Sequence, residues 1–437
     1  MARPALIAVA LTLAAASSPA LAQPRRLGLA EAVELALANN ERALKAPLRV
    51  VAAEGQLEKA RAAFLPTLAA GAQGALRAAA DRNGRVLAGT GTLTLTQPIV
   101  APTAFPLYAQ AKHQLDAERW GAVEDRRTLA FDTARAFLVA LSSERLLEAA
   151  ERRLDRARAT TADTRARAEA GLASTNDVTR GVVGVASAEA QVAAARGNVE
   201  RAYLLLGFLV GRDVGGSLAA PEQTTRAARE GAYRVEDILR GAEARRPDVK
   251  SAAERTAALR EAAKEPLYRA IPTLSAQAVM KTTVAPLPPD SAHDEQALLT
   301  LSWTIYDAGA RYGDDRTRGA QADTQALDER ALRRSIAVDV GVALSGLRAA
   351  RDTHRISQEA VVAAKQNTEE TEILYRQGLA RAIELTDANA SRYDAEVSSE
   401  SARLSMEQAY LALRQAMGLS PVGEDVAGAA VEKGGAP

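Results

Sequence analysis

Polar and apolar positions along the chain follow two different periods. Near residue 300, Leu299, Leu301, Trp303 and Ile305 fall on one side and Thr300, Ser302 and Thr304 on the other. That alternation is what a half-buried strand needs. Leu93, Leu95 and Ile99 against Thr92, Thr94 and Thr96 repeat it. Partner strands start at Pro66 and Pro272, the second alternating Leu274, Ala276, Ala278 and Met280 with Thr273, Ser275 and Gln277. The pattern predicts strands over about 66–77, 90–100, 272–283 and 297–307. Turn formers join each pair: Asp81-Arg82-Asn83-Gly84 in one, the Pro-rich 286–295 in the other.

Elsewhere apolar residues step by four and three, as in Ile336, Val340, Ala343, Leu347 and Ala350, or Ala130, Ala134, Phe137 and Leu141. This is coiled-coil spacing. No Pro occurs between Pro106 and Pro221 or between Pro289 and Pro421, and Gly171 and Gly378 divide those stretches where hairpin tips would fall. Two long helical hairpins are expected, 104–211 and 308–418. A helix over 107–170 would be about 95 Å long at 1.5 Å per residue. Shorter helices are expected within 27–64 and 233–271, with 212–232 a connector and 421–437 a loose tail.

Compared with itself at an offset of 206, the chain aligns Leu29-Ala30-Glu31-Ala32-Val33 with Val235-Glu236-Asp237-Ile238-Leu239, and Phe64-Leu65-Pro66-Thr67-Leu68 with Ala270-Ile271-Pro272-Thr273-Leu274. With one residue inserted, Gly171-Leu172 meets Gly378-Leu379 and Gly211 meets Gly418. The landmarks keep register, as a tandem duplication requires, with repeats at 23–211 and 233–420. Ahead of them, Arg3, the apolar run Ala5 to Ala16 and Ala20-Leu21-Ala22 predict a signal peptide over 1–22. That run is too short for a membrane anchor.

The 437 residues carry 55 Lys+Arg against 54 Asp+Glu, so nothing electrostatic favours nucleic acid. The absence of Cys removes disulfides, thiolate metal sites, thiol catalysis and a lipidated N-terminal Cys. His113, His293 and His354 lack metal-site spacing and read as surface or loop residues; Gly89-Thr90-Gly91 reads as a strand-edge turn. No catalytic residue, cofactor or metal is indicated, and an enzyme is not expected.

Four strands cannot close a membrane barrel, whose smallest form has eight, and unpaired edges in lipid are costly. The barrel must be shared. Three chains supply twelve strands and twelve long helices, a tube of β-barrel continued by α-barrel. The expected fold is mainly α with a small β part: tandem-duplicated hairpins in a trimeric α-barrel, with four strands per chain in a shared 12-stranded outer-membrane barrel.

Trp303-Thr304-Ile305-Tyr306-Asp307-Ala308-Gly309 and the tips Ala170-Gly171-Leu172 and Gln377-Gly378-Leu379 are the most specific pieces of a resemblance. Over nearly the whole chain the sequence resembles the TolC-like outer membrane efflux family. Pro98-Ile99-Val100-Ala101-Pro102 departs from the family's Asp-Gly-Gly strand exit. The resemblance implies a homotrimeric exit duct in outer-membrane lipid, extending into the periplasm. It would serve a tripartite efflux or type I secretion system, docked on a periplasmic adaptor protein and an inner-membrane pump or ATPase. The competing reading is a periplasmic adaptor or structural coiled-coil protein, though adaptors usually carry one hairpin.

The resemblance also places an acidic ring of the periplasmic gate at Glu384 and Asp387, which lie three apart on one helix face. Acids there would equally suit the helix dipole. Gate-locking contacts map onto Asp177 and Tyr375. The basic partner's position holds Ala380, with Arg381 adjacent and Arg376 one turn earlier. Asp177 also fits a capping box begun by Ser174. Gly171, Leu172, Gly378 and Leu379 are the adaptor-docking candidates: Gly permits positive φ, and an apolar tip residue needs a partner unless it folds back on its own hairpin.

Overall fold

The computed structural model describes residues 26–76, 87–284 and 293–423. The expected signal peptide, the Asp81–Gly84 turn, most of the Pro-rich loop and most of the tail lie outside the described residues. In chain order the elements are α1 (Leu29–Asn39), α2 (Glu41–Ala62), β1 (Thr67–Leu76), β2 (Leu87–Val100), α3 (Ala104–Glu169), α4 (Thr175–Val210), α5 (Glu222–Glu230), α6 (Val235–Arg245), α7 (Pro247–Tyr268), β3 (Thr273–Val284), β4 (His293–Ser302), α8 (Ala310–Arg376) and α9 (Ala382–Ala416). At 66 and 67 residues, α3 and α8 each run about 100 Å.

The strands form one antiparallel sheet in the order β1-β2-β3-β4. Pairing puts Leu68, Leu95, Ala278 and Ala297 in one row, and Ala69, Thr94, Val279 and Gln296 in the next. One face is therefore apolar and the other largely polar. β1 and β4 are exposed at every position, and both outer edges are open.

Helices pack beneath the sheet as a single layer. Near the strands the order is α2-α3-α7-α8; toward the tips it is α4-α3-α9-α8. α3 and α8 run through both halves. The apolar cores sit between the halves, one around Phe131, Phe137, Leu206 and Leu411, the other around Ile238, Val340, Leu347 and Met406. Below them the α3–α9 seam turns polar, with Arg145 3.5 Å from Glu400 and Arg152 3.6 Å from Glu396.

Several local expectations change. β4 ends at Ser302, not 307. Beyond it the Trp303 indole N–H donates to the Ala270 carbonyl at 3.0 Å, and the Asp307 carboxylate accepts from the amides of Gly309 and Arg311, both at 3.1 Å. Ala308 and Gly309 take φ of 54° and 87°, turning the chain into α8. β2 ends in a bulge between Pro98 and Val100, because Pro98 cannot donate to the ladder. Gly89 and Gly91 lie within β2, where a Cβ on Gly91 would come 2.9 Å from Thr282. Part of the expected connector is α5, whose Ala228 is fully buried and whose Thr225 hydroxyl donates to Glu407 at 2.6 Å. His354, expected at the surface, is buried, because position 354 continues the inward seam of α8.

Candidate functional site at the hairpin tips

Both tips close the same way. At the first, Gly171 (φ 74°) lets its own amide and that of Leu172 return to the carbonyls of Ala168 and Arg167, at 3.0 and 2.8 Å. At the second, Gly378 (φ 78°) does so to Tyr375, and Leu379 to Leu374, at 3.0 and 2.9 Å. Any other L-residue would be strained at that φ. Leu172 and Leu379 remain 78% and 73% exposed, so neither folds back onto its hairpin.

The two following helices start differently. Before α4 the Ser174 hydroxyl accepts from the Asn176 amide at 3.1 Å, and the Asp177 carboxylate accepts from the Ser174 amide at 3.3 Å, completing a capping box. α9 starts at Arg381, which lends no side-chain cap and instead donates to Glu384 at 3.0 Å. Glu384 and Asp387 are exposed on one face of α9, with Leu385 and Ala388 buried behind them. Asp387 has no ion-pair partner among the described residues.

Tyr375 joins the hairpins. It is buried in the last turn of α8, with its hydroxyl 3.1 Å from that of Thr164 on α3. Arg167 of α3 donates to the Tyr375 carbonyl at 3.1 Å and lies 4.4 Å from its ring centroid. The basic group on Tyr375 is thus Arg167, while Arg376 pairs with Glu372 and Arg381 with Glu384. Among the described residues no hydrogen bond joins Asp177 to Tyr375. Asp177 instead borders a crevice between α3, α4 and α9 shared with Thr164, Arg180 and Ile383.

A second crevice, between α3, α8 and α9, is bounded by Arg156, Thr160, Tyr375 and Asn389. The Nε and Nη2 of Arg156 and the Oδ1 of Asn389 are shielded there without partners. Burial first, then the nearby Arg392, push the Arg156 guanidinium below its ordinary pKa. The His113 Nδ1 lies 2.7 Å from Glu254, linking α3 to α7. Among the described residues no three His, Asp or Glu side chains are grouped to hold a metal ion.

The family model described as outer membrane efflux protein matches residues 32–212 and again 238–419, most of the chain. The chain belongs to the outer membrane efflux protein family. Its fold is shared with solved outer-membrane channels at low identity. The VceC protein of Vibrio cholerae is 18% identical, covering 90% of this chain and 97% of that one with a TM-score of 0.74. CmeC of Campylobacter jejuni is 16% identical, covering 91% and 87% at 0.77, and MtrE of Neisseria gonorrhoeae, solved open, 19% identical, covering 90% and 89% at 0.76. No curated protein sequence matches significantly. As a TolC-type efflux protein the chain is an outer-membrane channel with a long periplasmic helical domain, and not an enzyme. Channels of this family work with adaptors and inner-membrane pumps in tripartite systems.

Proposed function

We propose that three copies close into one conduit, with a shared 12-stranded β-barrel above a 12-helix α-barrel, as the exit duct of a tripartite efflux or type I secretion machine. The observation carrying this reading is the single layer of four helices under a four-stranded sheet, open at both sides throughout. On one side the open elements are β1, α2 and α4; on the other, β4 and α8. The exposed Leu44, Leu48 and Val51 on α2 and Val338 and Val342 on α8 leave apolar stripes in need of a partner. Strand edges in lipid must pair, and closed rotational symmetry joins one side to the other. Two copies of one ancestral unit, over 23–211 and 233–420, account for the layout, and the 206-residue spacing of the family matches at 32 and 238 supports this.

Glu384 and Asp387 form the acidic ring at the periplasmic mouth. Asp177, Tyr375 and Arg381 belong to the surrounding gate, and Leu172 and Leu379, presented by Gly171 and Gly378, dock the adaptor. Light scattering on the detergent-solubilised particle, corrected for bound detergent, is expected to give three chain masses; a soluble monomer would overturn the reading. Replacing Glu384 and Asp387 by Ala should abolish cation preference in single-channel recordings, and unchanged selectivity would remove the ring. Leu172→Asp with Leu379→Asp should eliminate adaptor cross-linking while the trimer survives.

A further inference from the structure

We propose that the crevice between α3, α8 and α9 binds a small oxyanion, a carboxylate or a phosphate, on the Nε and Nη2 edge of Arg156 with Asn389 and Thr160 beside it. The site is built within one chain and does not depend on the oligomeric reading above.

The polar part of the α3–α9 seam is a series of arginine–carboxylate rungs. Arg145 faces Glu400 at 3.5 Å and Arg152 faces Glu396 at 3.6 Å. The two helices are antiparallel, so moving toward the tips means moving up in number along α3 and down along α9. Eleven residues in that direction from the first rung stand Arg156 on α3 and Asn389 on α9. Eleven residues make about three turns, which returns each position to the same face of its helix. Both residues border the same crevice. The rung has its base and lacks its acid.

Among the described residues nothing makes up for the missing acid. The Arg156 Nε and Nη2 and the Asn389 Oδ1 are shielded from solvent and unpartnered. Those two nitrogens lie on one edge of the planar guanidinium, the edge that meets two oxygens of a carboxylate or phosphate side by side. The Asn389 amide, turned by half a rotation about its last side-chain bond, offers an N–H to the same ligand. A guanidinium taken out of water without a partner is costly, and two acceptor oxygens on one centre remove that cost.

The surrounding charge has the sign an anion needs. Arg152, Arg153 and Arg392 all act on Arg156, opposed by Glu396. That carboxylate is already claimed twice, by Arg392 at 3.1 Å and by Arg152. The acids bordering the crevice, Asp163 and Glu372, are paired with Arg167 at 3.0 Å and with Arg376. The crevice holds about 310 Å³, room for a small oxyanion and several waters at about 30 Å³ each. Arg156 lies fifteen residues before Gly171, about 22 Å above the first tip. An anion bound there ties α3 to α9, and so one hairpin to the other, as the ion pairs do at the rungs above.

Thermal unfolding of the full-length protein in detergent reads the binding through its linkage to stability. Inorganic phosphate, and separately acetate, are titrated at constant ionic strength made up with chloride. At least one should raise the unfolding midpoint to a plateau, and the one acting at lower concentration names the group. The general salting effect of phosphate rises without saturating. Arg156→Gln should abolish the plateau, whereas Arg165→Gln, which removes the same charge from an exposed position of α3, should keep it. Asn389→Asp supplies the missing carboxylate; it should raise the midpoint in the absence of added anion and remove the response to it. No saturable rise with either anion, or an equal rise in Arg156→Gln, overturns the site. An Asn389→Asp protein that behaves as the unaltered chain overturns the missing-acid argument and the place of Asn389 in the site.

Discussion

Ala308 is the single non-Gly residue among those described with positive φ, at 54°, immediately before Gly309 at 87°. A left-handed conformation costs an L-residue about 1–2 kcal/mol, partly offset by the greater freedom of an unfolded Gly. Ala308→Gly should therefore stabilise the protein by about 1 kcal/mol, read as a higher midpoint of thermal unfolding. At the first tip Ser174→Ala removes the cap of α4 and should cost about 1 kcal/mol in the same measurement. The tip glycines and this capping box were legible in the sequence because both depend on local geometry, φ in one and a three-residue spacing in the other. The guanidinium on Tyr375 was not. The family resemblance places a basic residue at the position of Ala380, whereas Arg167, 208 positions before Tyr375, reaches it only because the hairpins pack with their tips level.

In α8 the heptad that places Val340 and Leu347 in an apolar seam also carries His354 into it. Burial first, and Arg403 next, hold its imidazole below the ordinary histidine range, against the opposing pull of Glu400, Glu407 and a backbone bond at Ser399. The unfolded chain then binds more protons near pH 6, so stability must fall as pH drops below about 6.5. Unfolding followed at pH 7.5 and pH 5.5 should show a loss that His354→Phe diminishes. Strand positions read from alternation were sound over the paired rows. They failed at 303–307, where Trp303, Ile305 and their polar neighbours still alternate but the indole and Asp307 redirect the backbone. Period two describes which side a residue faces; it carries no record of where a strand loses its partner.

Across the whole molecule the sheet sorts its side chains, with Leu299 and Leu301 on the face of Leu68 and Leu95, and Thr300 on the other. In the proposed shared barrel the first face meets lipid. Leu299→Arg should cost about 2–4 kcal/mol at mid-membrane and deplete assembled protein in outer-membrane fractions, whereas Thr300→Arg should leave assembly near normal. What the sequence determined by itself was periodic: strands, long helices and the hairpin tips between them, the elements on which the shared-barrel proposal rests. Which helices lie side by side beyond each hairpin was decided by the tertiary structure alone. α3 lies against α7 near the strands and against α9 near the tips, neighbours that are adjacent in space and distant in the chain. Periodicity states that a helix has an apolar face; only packing decides what covers it, and so which faces remain open.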